Sequence, residues 1–292
     1  MTVDIQNILF ILKCPVCGEE LERFKNSLRC QSELAHTFPI INGIPRFVAA
    51  VNSNYEIHWT RFSSDKQNKS KIDQAGRFMR WLKRIDSLKG IVLDIGCGDG
   101  NHIPFIPNQT LCVALDYTSV VDVVKEKYKD KNNLILIQAN ALSLPFKDNS
   151  VDFIYSYGCL NYLSDIKKGV SEVERVSKKS KYFALWGFGT NHRTFAHTFT
   201  LARNLYRAFP ETLRWLILNA VVPMLFFIPN STGIHLLNST WRECREIIST
   251  NLSPGFLTIL DRNGWDKYVS EKSIKISEYS INKGAIYQKT AC

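Results

Sequence analysis

Val92-Leu93-Asp94-Ile95-Gly96-Cys97-Gly98-Asp99-Gly100 joins an apolar run to a carboxylate and a glycine-rich loop. Glycines in such a loop let a ligand approach the backbone, and we expect this approach at the start of the next helix. The spacing is G-x-G-x-G, and Asn101 stands in place of the third glycine of the G-x-G-x-x-G dinucleotide fingerprint. The motif therefore argues against a nicotinamide dinucleotide, and its acidic residue suits a cationic ligand better than a pyrophosphate.

Short apolar runs alternate with helical stretches on the C-terminal side of this motif. The runs after residues 91–95 occupy residues 110–115, 134–138, 153–157 and 182–186, and helical patterns occupy residues 120–128 and 167–177. Continuous apolar runs indicate strands buried on both faces, and their alternation with helices indicates parallel βαβ units. Two more strands flank Asn282-Lys283-Gly284 and predict a terminal antiparallel hairpin. The predicted fold class is α/β, with a Rossmann-like, doubly wound, mostly parallel sheet of seven strands.

The chain divides into three predicted parts. We predict a small loop-rich module with two or three short strands over residues 1–47, a linker and helices over 48–89, and the sheet domain over 90–292. A helical cap is inserted in that domain at about residues 190–262. The apolar run at 215–228 contains Asn219 and Pro223 and would reach only about 21 Å as a helix, against roughly 30 Å of hydrocarbon. We therefore predict no transmembrane segment, and a weak contact with a membrane surface stays open.

Three cysteines near the N-terminus have the spacing of a metal site. Cys14 and Cys17 form a C-x2-C pair that can bring two thiolates to one ion, and a hairpin could return Cys30 to it. His36 is the only nearby candidate for a fourth ligand. The alternative is a chance C-x2-C pair with a buried Cys30 and a surface His36. If zinc binds, a closed four-ligand site is structural and would supply most of the folding free energy of the module.

Two polar residues at strand ends outline a nucleoside site. Asp116 ends the second strand, where a carboxylate can accept hydrogen bonds from ribose hydroxyls. The third strand leads to Asn140, whose amide could bind an adenine edge. Each residue alone is more often an ordinary turn residue. Together, in order along one edge of the sheet, they predict an adenosine-shaped site.

These motifs, together with Asn140-Ala141, Leu144-Pro145-Phe146 and residues 150–156, resemble class I S-adenosylmethionine-dependent methyltransferases of the small-molecule type. Residues 14–47, which include Phe38-Pro39-Ile40-Ile41-Asn42-Gly43-Ile44-Pro45, resemble the zinc-ribbon module found ahead of some methyltransferases. The resemblance implies S-adenosyl-L-methionine as the cofactor and a structural zinc ion bound by Cys14, Cys17, Cys30 and His36.

The same resemblance implies roles for individual residues. It implies that Asp94 orients the methionine amine and that Gly96, Gly98 and Gly100 leave room for the cofactor. It also implies that Asp116 binds the ribose and that Tyr117, Asn140 and Ala141 contact the adenine. Tyr157 is implied to lie beside the methionine part. The family often has Asp where this chain has Asn140. Leu160-Asn161-Tyr162-Leu163 replaces a common Leu-His-His. No catalytic residue is therefore assigned, and Tyr162, Asp165, His192, His197 and His235 stay open as possible bases.

Composition excludes one class of protein, and the distribution of charge shows which segments are basic. The chain of 292 residues is 45% hydrophobic and 12% aromatic, which excludes a disordered protein. The net charge of +10 comes from residues 47–90 and 191–292, while residues 1–46 and 91–190 are balanced. No secretory signal is recognised at Met1-Thr2-Val3-Asp4, so we expect a reducing, cytoplasmic compartment.

We predict a methyltransferase that acts on an O-, N- or C-nucleophile of a small or amphiphilic acceptor, lipid-like or sugar, under the apolar cap. One alternative is an RNA methyltransferase, because guanine-N1 methyltransferases of ribosomal RNA also join a zinc module to this kind of domain. The balanced charge of residues 1–46 argues against RNA, whereas the basic, aromatic segment 47–90 could bind it. A second alternative is a cofactor-binding activator without catalysis.

Overall fold

The computed structural model describes residues 3–48, 69–84, 88–189, 193–210, 212–214, 216–217, 260, 263–279 and 283–291. Most of the predicted cap at 190–262, residues 49–68 of the predicted linker, and two of the possible bases, His192 and His235, lie outside these residues. The side chain of His197 lies outside them as well.

The N-terminal residues form a small antiparallel sheet. Its strands are β1 (Leu21–Phe24), β2 (Ser27–Cys30), β3 (Thr37–Ile41) and β4 (Ile44–Pro45), hydrogen-bonded in that order. The module has one strand more than the two or three predicted, because a tight turn folds β4 back on β3. Asn42 and Gly43 at this turn have φ of 53° and 72°, as a two-residue hairpin turn requires.

The second sheet has seven strands, as predicted. They are β5 (Ile91–Ile95), β6 (Leu111–Asp116), β7 (Leu134–Gln138), β8 (Val151–Tyr157), β9 (Ser177–Gly187), β10 (Ser273–Tyr279) and β11 (Lys283–Lys289). Their order across the sheet is β10-β11-β9-β8-β5-β6-β7. Strands β5 to β9 pair in parallel, and β11 pairs antiparallel with both β9 and β10. The prediction of a mostly parallel sheet with a terminal hairpin is therefore confirmed.

Helices and the N-terminal module cover the two faces of the large sheet. Among the described residues, the helices include α1 (Lys69–Lys83), α2 (Val120–Lys127), α3 (Ile166–Val176) and α4 (Arg193–Ala208). One apolar cluster joins α1 and α2 to one face of the sheet, and Phe78 and Trp81 of α1 are buried in it. These two aromatic residues belong to the sheet core, although their segment was predicted as a linker with helices. The other cluster joins α3 and the N-terminal module to the opposite face.

The N-terminal module is attached to the large sheet by backbone and side-chain contacts. Leu12 pairs with Phe146 in an antiparallel bridge, and the Lys13 N–H donates to the Pro145 carbonyl oxygen at 3.1 Å. The Ser143 hydroxyl donates to the Pro15 carbonyl oxygen at 2.7 Å. Since Leu12 is fully buried, the two sheets share one continuous apolar core on this face.

Among the residues that the structure describes, no helix is long and apolar enough to cross a membrane.

Candidate functional site

The strand order creates a crevice at the carboxyl ends of β5 and β8. Along the chain, β5, β6 and β7 follow one another towards one edge, and β8 then lies on the other side of β5. Ligands of open α/β sheets bind outside the strand ends where the order reverses in this way. The glycine loop of Gly96, Gly98 and Gly100 follows β5 at this reversal point.

The loop has a backbone that favours glycine. Gly96, Gly98 and Gly100 have φ of 77°, 51° and 75°, in the left-handed region that other residues rarely adopt. A Cβ on Gly96 would clash with the Cβ and Sγ atoms of Cys159. The amides of Gly96 and Cys97 both donate to the Leu115 carbonyl oxygen, at 2.8 and 3.0 Å. The loop is therefore tied to the end of β6 and packed tightly against the segment after β8.

The segment after the loop differs from the prediction. A helix was expected there, but the structure has only a 3-10 turn at Ile103–Phe105. Pro104 lies within this turn and Pro107 follows it, and proline supplies no N–H and ends a helix. The site therefore has glycine-loop amides at this position but no long helix N-terminus.

Asp116 organises the glycine loop. Its side chain is 8% exposed, and its Oδ2 accepts a hydrogen bond from the Gly98 N–H at 3.0 Å. Its Oδ1 accepts from the N–H and hydroxyl of Thr118 at 3.0 and 2.8 Å. Burial raises the pKa of Asp116, and these hydrogen bonds oppose the rise. Because an ionised carboxylate has about four acceptor positions, Asp116 can bind the loop and still accept from a ligand hydroxyl.

Asp94 is buried, and it has no cationic partner among the described residues. It is 1% exposed, and within the described part of the chain neither carboxylate oxygen has a partner in hydrogen-bonding geometry. The hydroxyl of neighbouring Tyr155 is likewise unpartnered there. Burial raises the pKa of Asp94 to about 7. The nearby Tyr155 hydroxyl lowers this pKa, and the charge of Asp116 raises it further. A buried, unpaired carboxylate is costly, so Asp94 is ready to accept a cationic hydrogen-bond donor.

The residues expected around the adenine lie at the ends of β6 and β7. Tyr117 follows β6 directly and is 38% exposed. Asn140 is half-buried, and its Oδ1 accepts from the Leu142 N–H at 2.9 Å. Ala141 is buried beside it. Strands β6 and β7 pair through Asp116 and Gln138, so the structure brings these positions to one edge of the sheet.

Tyr157 belongs to an aromatic group that the sequence did not reveal. It ends β8, and its ring stacks on Trp186 with centroids 3.9 Å apart and planes 4° apart. The rings of Phe78 and His102 each lie 4.9 Å from the ring of Tyr157. The sequence signal available was the position of Trp186 at the end of the next strand. Phe78 comes from the separate helix α1, so no local pattern indicated it.

His102 is a buried neutral group next to this aromatic group. It is 8% exposed, and its Nε2 has no hydrogen-bond partner among the residues with described side chains. Burial lowers the pKa of His102 to about 4. Near neutral pH the imidazole is therefore uncharged, with one ring nitrogen that can donate a hydrogen bond and one that can accept one.

The predicted metal ligands come together in the N-terminal module. One ligand atom from each of Cys14, Cys17, Cys30 and His36 lies within 4.8 Å of all the others. The distance from Cys17 Sγ to Cys30 Sγ is 3.8 Å, and His36 Nδ1 lies 3.7 Å from Cys14 Sγ and 3.3 Å from Cys30 Sγ.

These distances fit a tetrahedral zinc ion. Zn–S bonds of about 2.3 Å and Zn–N bonds of about 2.1 Å place two sulfur ligands about 3.8 Å apart and a sulfur and a nitrogen about 3.6 Å apart. Burial opposes ionisation of Cys30, but hydrogen bonds from Ser32 and His36 outweigh it and lower the pKa of Cys30 to about 6. A thiolate is the form that binds a metal.

Comparison with known protein families matches the part of the chain that contains the candidate site. Residues 93–185 match the family model described as a methyltransferase domain. This segment contains the glycine loop, Asp116, Asn140 and Tyr157, and it lies within the part of the chain for which the sequence showed the resemblance.

Curated relatives include two named methyltransferases. The chain is 38% identical over 98 residues to the uncharacterized methyltransferase YcgJ of Bacillus subtilis, which covers 32% of this chain and 39% of the relative. It is 33% identical over 153 residues to a demethylmenaquinone methyltransferase of Corynebacterium urealyticum, covering 50% of this chain and 61% of the relative. The chain thus spans less than two thirds of these relatives.

A solved structure supports the fold alone. The PH0226 protein of Pyrococcus horikoshii OT3 superposes with a TM-score of 0.53 at 15% sequence identity, covering 82% of this chain and all of that protein.

Proposed function

We propose that this chain is an S-adenosylmethionine-dependent methyltransferase that acts on a small or amphiphilic acceptor. The observation that carries the proposal is Asp94, a buried carboxylate without a cationic partner among the described residues, beside the glycine loop at the reversal point of the sheet. Such a group needs a cationic donor, and the ammonium group of a methionine-type cofactor provides one. The match of residues 93–185 to a methyltransferase domain supports the same activity.

The proposed binding residues follow the geometry of the crevice. Asp94 would accept from the ammonium group, the loop of Gly96, Gly98 and Gly100 would contact the cofactor through its backbone, and Asp116 would bind the ribose. Tyr117, Asn140 and Ala141 would contact the adenine, and Tyr157 would line the methionine side. When bound, S-adenosylmethionine supplies an electrophilic methyl group. The protein would mainly orient the acceptor and exclude water, since displacement at a methyl carbon needs little covalent help.

Replacing Asp116 with alanine tests the cofactor site. The loss of its carboxylate removes the acceptor for the Gly98 N–H and for the proposed ribose hydroxyls, so we expect the affinity for S-adenosylhomocysteine to fall by at least about tenfold. Isothermal titration calorimetry measures the affinity.

Asp165→Ala is the matched control. Its side chain caps helix α3 by accepting from the Lys168 N–H at 2.9 Å, remote from the glycine loop. The control loses a carboxylate and a capping hydrogen bond but should keep the wild-type affinity. Equal binding by Asp116→Ala and the wild type would contradict the assigned cofactor site.

An apolar acceptor agrees best with the residues around the crevice. Tyr157, Trp186 and Phe78 place aromatic rings at the ends of β8 and β9. Leu201 and Leu205 on helix α4 are 62% and 58% exposed, and their four-residue spacing puts them on one face. A relative is named as a demethylmenaquinone methyltransferase. We therefore propose a planar, lipophilic acceptor such as a reduced quinone, and the test below compares it with a sugar and an RNA.

Transfer of a labelled methyl group distinguishes the acceptor classes. Purified protein is incubated with methyl-labelled S-adenosylmethionine and, separately, a short-chain demethylmenaquinol, glucose and bulk ribosomal RNA. We expect label in the quinol alone, and much less label with the Asp116→Ala variant at a cofactor concentration near the wild-type dissociation constant. Label in the sugar or the RNA but not in the quinol would overturn the proposed acceptor and leave the proposed cofactor site intact.

We further propose that the cluster of Cys14, Cys17, Cys30 and His36 binds a structural zinc ion, so that residues 1–47 form a zinc-ribbon module. Four protein ligands leave no open position for a substrate, which favours a structural site over a catalytic one. The described cysteines are all free thiols.

A further inference from the structure

The N-terminal module ends in a buried arginine that lies against the edge of the large sheet. Arg46 follows strand β4 and is 7% exposed. It pairs with Gln138 at the end of β7 in a parallel bridge, and the next residue, Phe47, donates its N–H to the Gln138 carbonyl oxygen at 2.8 Å. The chain thus places a guanidinium group beside the strand end that leads to Asn140.

The guanidinium group connects two elements of the large sheet domain. Its Nη1 donates to Gln138 Oε1 at 3.0 Å, and its Nη2 donates to Asp122 Oδ1 at 2.6 Å. Asp122 lies in the first turn of helix α2. Charge-assisted hydrogen bonds of this kind are stronger than neutral ones, so Arg46 holds the end of β7 and the start of α2 in one arrangement.

Arg46 also fixes which way the Gln138 amide faces. A guanidinium group has only donors, so the Gln138 oxygen must face Arg46 and the amide nitrogen must face the other way. That nitrogen donates to the Tyr117 carbonyl oxygen at 3.0 Å. Tyr117 follows Asp116, and the Ala139 N–H in turn donates to the Asp116 carbonyl oxygen at 2.9 Å. The contacts from Arg46 therefore reach, through Gln138, the backbone of Tyr117, one of the residues that we assign to the adenosine half of the cofactor.

Stability alone does not account for this arginine. Its Nε is buried without a hydrogen-bond partner among the described residues, and an unsatisfied buried donor has a free-energy cost. Replacing buried ionic groups with apolar ones is often neutral or stabilising. A role in positioning explains why a charged group lies at this junction.

We propose that Arg46 is a positioning residue, supplied by the N-terminal module, that orders the Tyr117 and Asn140 segments for binding the adenosine half of the cofactor. The inference rests on the proposed function. It makes the N-terminal module a contributor to the cofactor site, in addition to any metal that it binds.

The test compares Arg46→Met with the wild type. We expect the variant to bind S-adenosylhomocysteine about tenfold more weakly by calorimetry, because the Gln138 amide is no longer fixed against Tyr117. Hydrogen exchange should increase at the backbone amides of residues 117–122 and 138–142, while those of β1 to β3 keep their protection and the metal content is unchanged. Arg29→Met is the matched control, because Arg29 bonds to Glu22 at 2.7 and 3.1 Å and lies over the Phe24 ring, both inside the module.

Gln138→Glu keeps the inference testable if Arg46→Met fails to fold. A carboxylate at this position still accepts from Arg46, so the module stays attached, but it cannot donate to the Tyr117 carbonyl oxygen. We expect a normal melting temperature with weakened binding of S-adenosylhomocysteine. Wild-type affinity in Gln138→Glu, or in a folded Arg46→Met, would overturn the positioning role. If the wild-type protein itself fails to bind S-adenosylhomocysteine, the proposed function fails instead.

Discussion

Asp94→Asn is expected to stabilise the ligand-free protein at pH 8 and to weaken binding of S-adenosylhomocysteine by roughly a hundredfold. The wild-type carboxylate is buried without a cationic partner among the described residues, and at pH 8 it is mostly ionised because its pKa is about 7. A neutral amide of nearly the same shape costs less to bury. We therefore expect the free energy of unfolding to rise by about 1–2 kcal/mol. Removing one partner of a buried ionic contact costs about 3 kcal/mol or more, which accounts for the expected loss of affinity.

The pH dependence of the free energy of unfolding provides a second measurement of the role of Asp94. The pKa of Asp94 is raised in the folded protein from 3.8 to about 7, so between these values the folded state keeps a proton that the unfolded state releases. This contribution to stability is complete below about pH 4 and is lost as the pH rises through 7. Urea unfolding of the wild type from pH 5 to 8 should show this fall, and Asp94→Asn should lack it.

The affinity for S-adenosylhomocysteine should change with pH in the direction opposite to the change in stability. A cationic ligand group favours the ionised carboxylate, so wild-type affinity for S-adenosylhomocysteine should rise between pH 6 and 8. The exposed Asp130 provides the control variant Asp130→Asn, which should match the wild type in both profiles. If Asp94→Asn keeps the wild-type affinity or the wild-type stability profile, Asp94 does not bind the ammonium group.

Local sequence patterns predicted the sheet because burial dictates them. The run at Ile91–Ile95 is buried along almost its whole length, and a strand covered on both faces must be apolar throughout. The helix over Val120–Lys127 was predictable because one face of it is apolar and buried, and the terminal hairpin was predictable from the turn residues Asn282-Lys283-Gly284. The cluster of candidate metal ligands was predictable because Cys14, Cys17 and Cys30 lie close together in the sequence and a short hairpin can bring them together.

Long-range packing could not be predicted from local patterns. Arg46 and Gln138 are 92 residues apart, and nothing in either segment identifies the other. Phe78 joins the aromatic group around Tyr157 only because α1 packs on the same face of the sheet. The expected helix after the glycine loop was wrong although its signal was local. Pro104 and Pro107 are visible in the sequence, and they argue against a helix more strongly than the usual pattern of a strand, a loop and a helix argues for one.

Loss of the metal is expected to have the largest effect on stability. Cys17→Ser changes one of the four candidate zinc ligands, and because Cys17 is exposed the change removes little packing. We expect the purified wild type to contain one zinc ion per chain by mass spectrometry of the metal and the variant to contain almost none. Structural zinc supplies about 10–16 kcal/mol of apparent binding free energy in small modules.

Only part of that free energy should appear as lost stability here. The N-terminal module also packs on the large sheet through fully buried Ile8 and Leu12, so some of its structure can survive without metal. A loss of about 3–4 kcal/mol would lower the melting temperature by about 10 °C in a chain of this size. We expect this decrease both in Cys17→Ser and in the wild type treated with a chelator, and we expect added zinc to restore the melting temperature of the wild type alone.

A variant of a cysteine outside the cluster shows whether the effects of Cys17→Ser come from the loss of a metal ligand or from the loss of any thiol. Cys159→Ser removes a half-buried thiol near Gly96, far along the chain from the four ligands, and it should keep one zinc ion per chain. A wild-type protein without zinc, or one that melts at the same temperature with and without chelator, would refute a structural metal. The four ligand atoms would then be explained by hydrogen bonds such as that from the His36 N–H to Cys30 Sγ, at 3.1 Å. The shared apolar core would have to stabilise the N-terminal module without a metal.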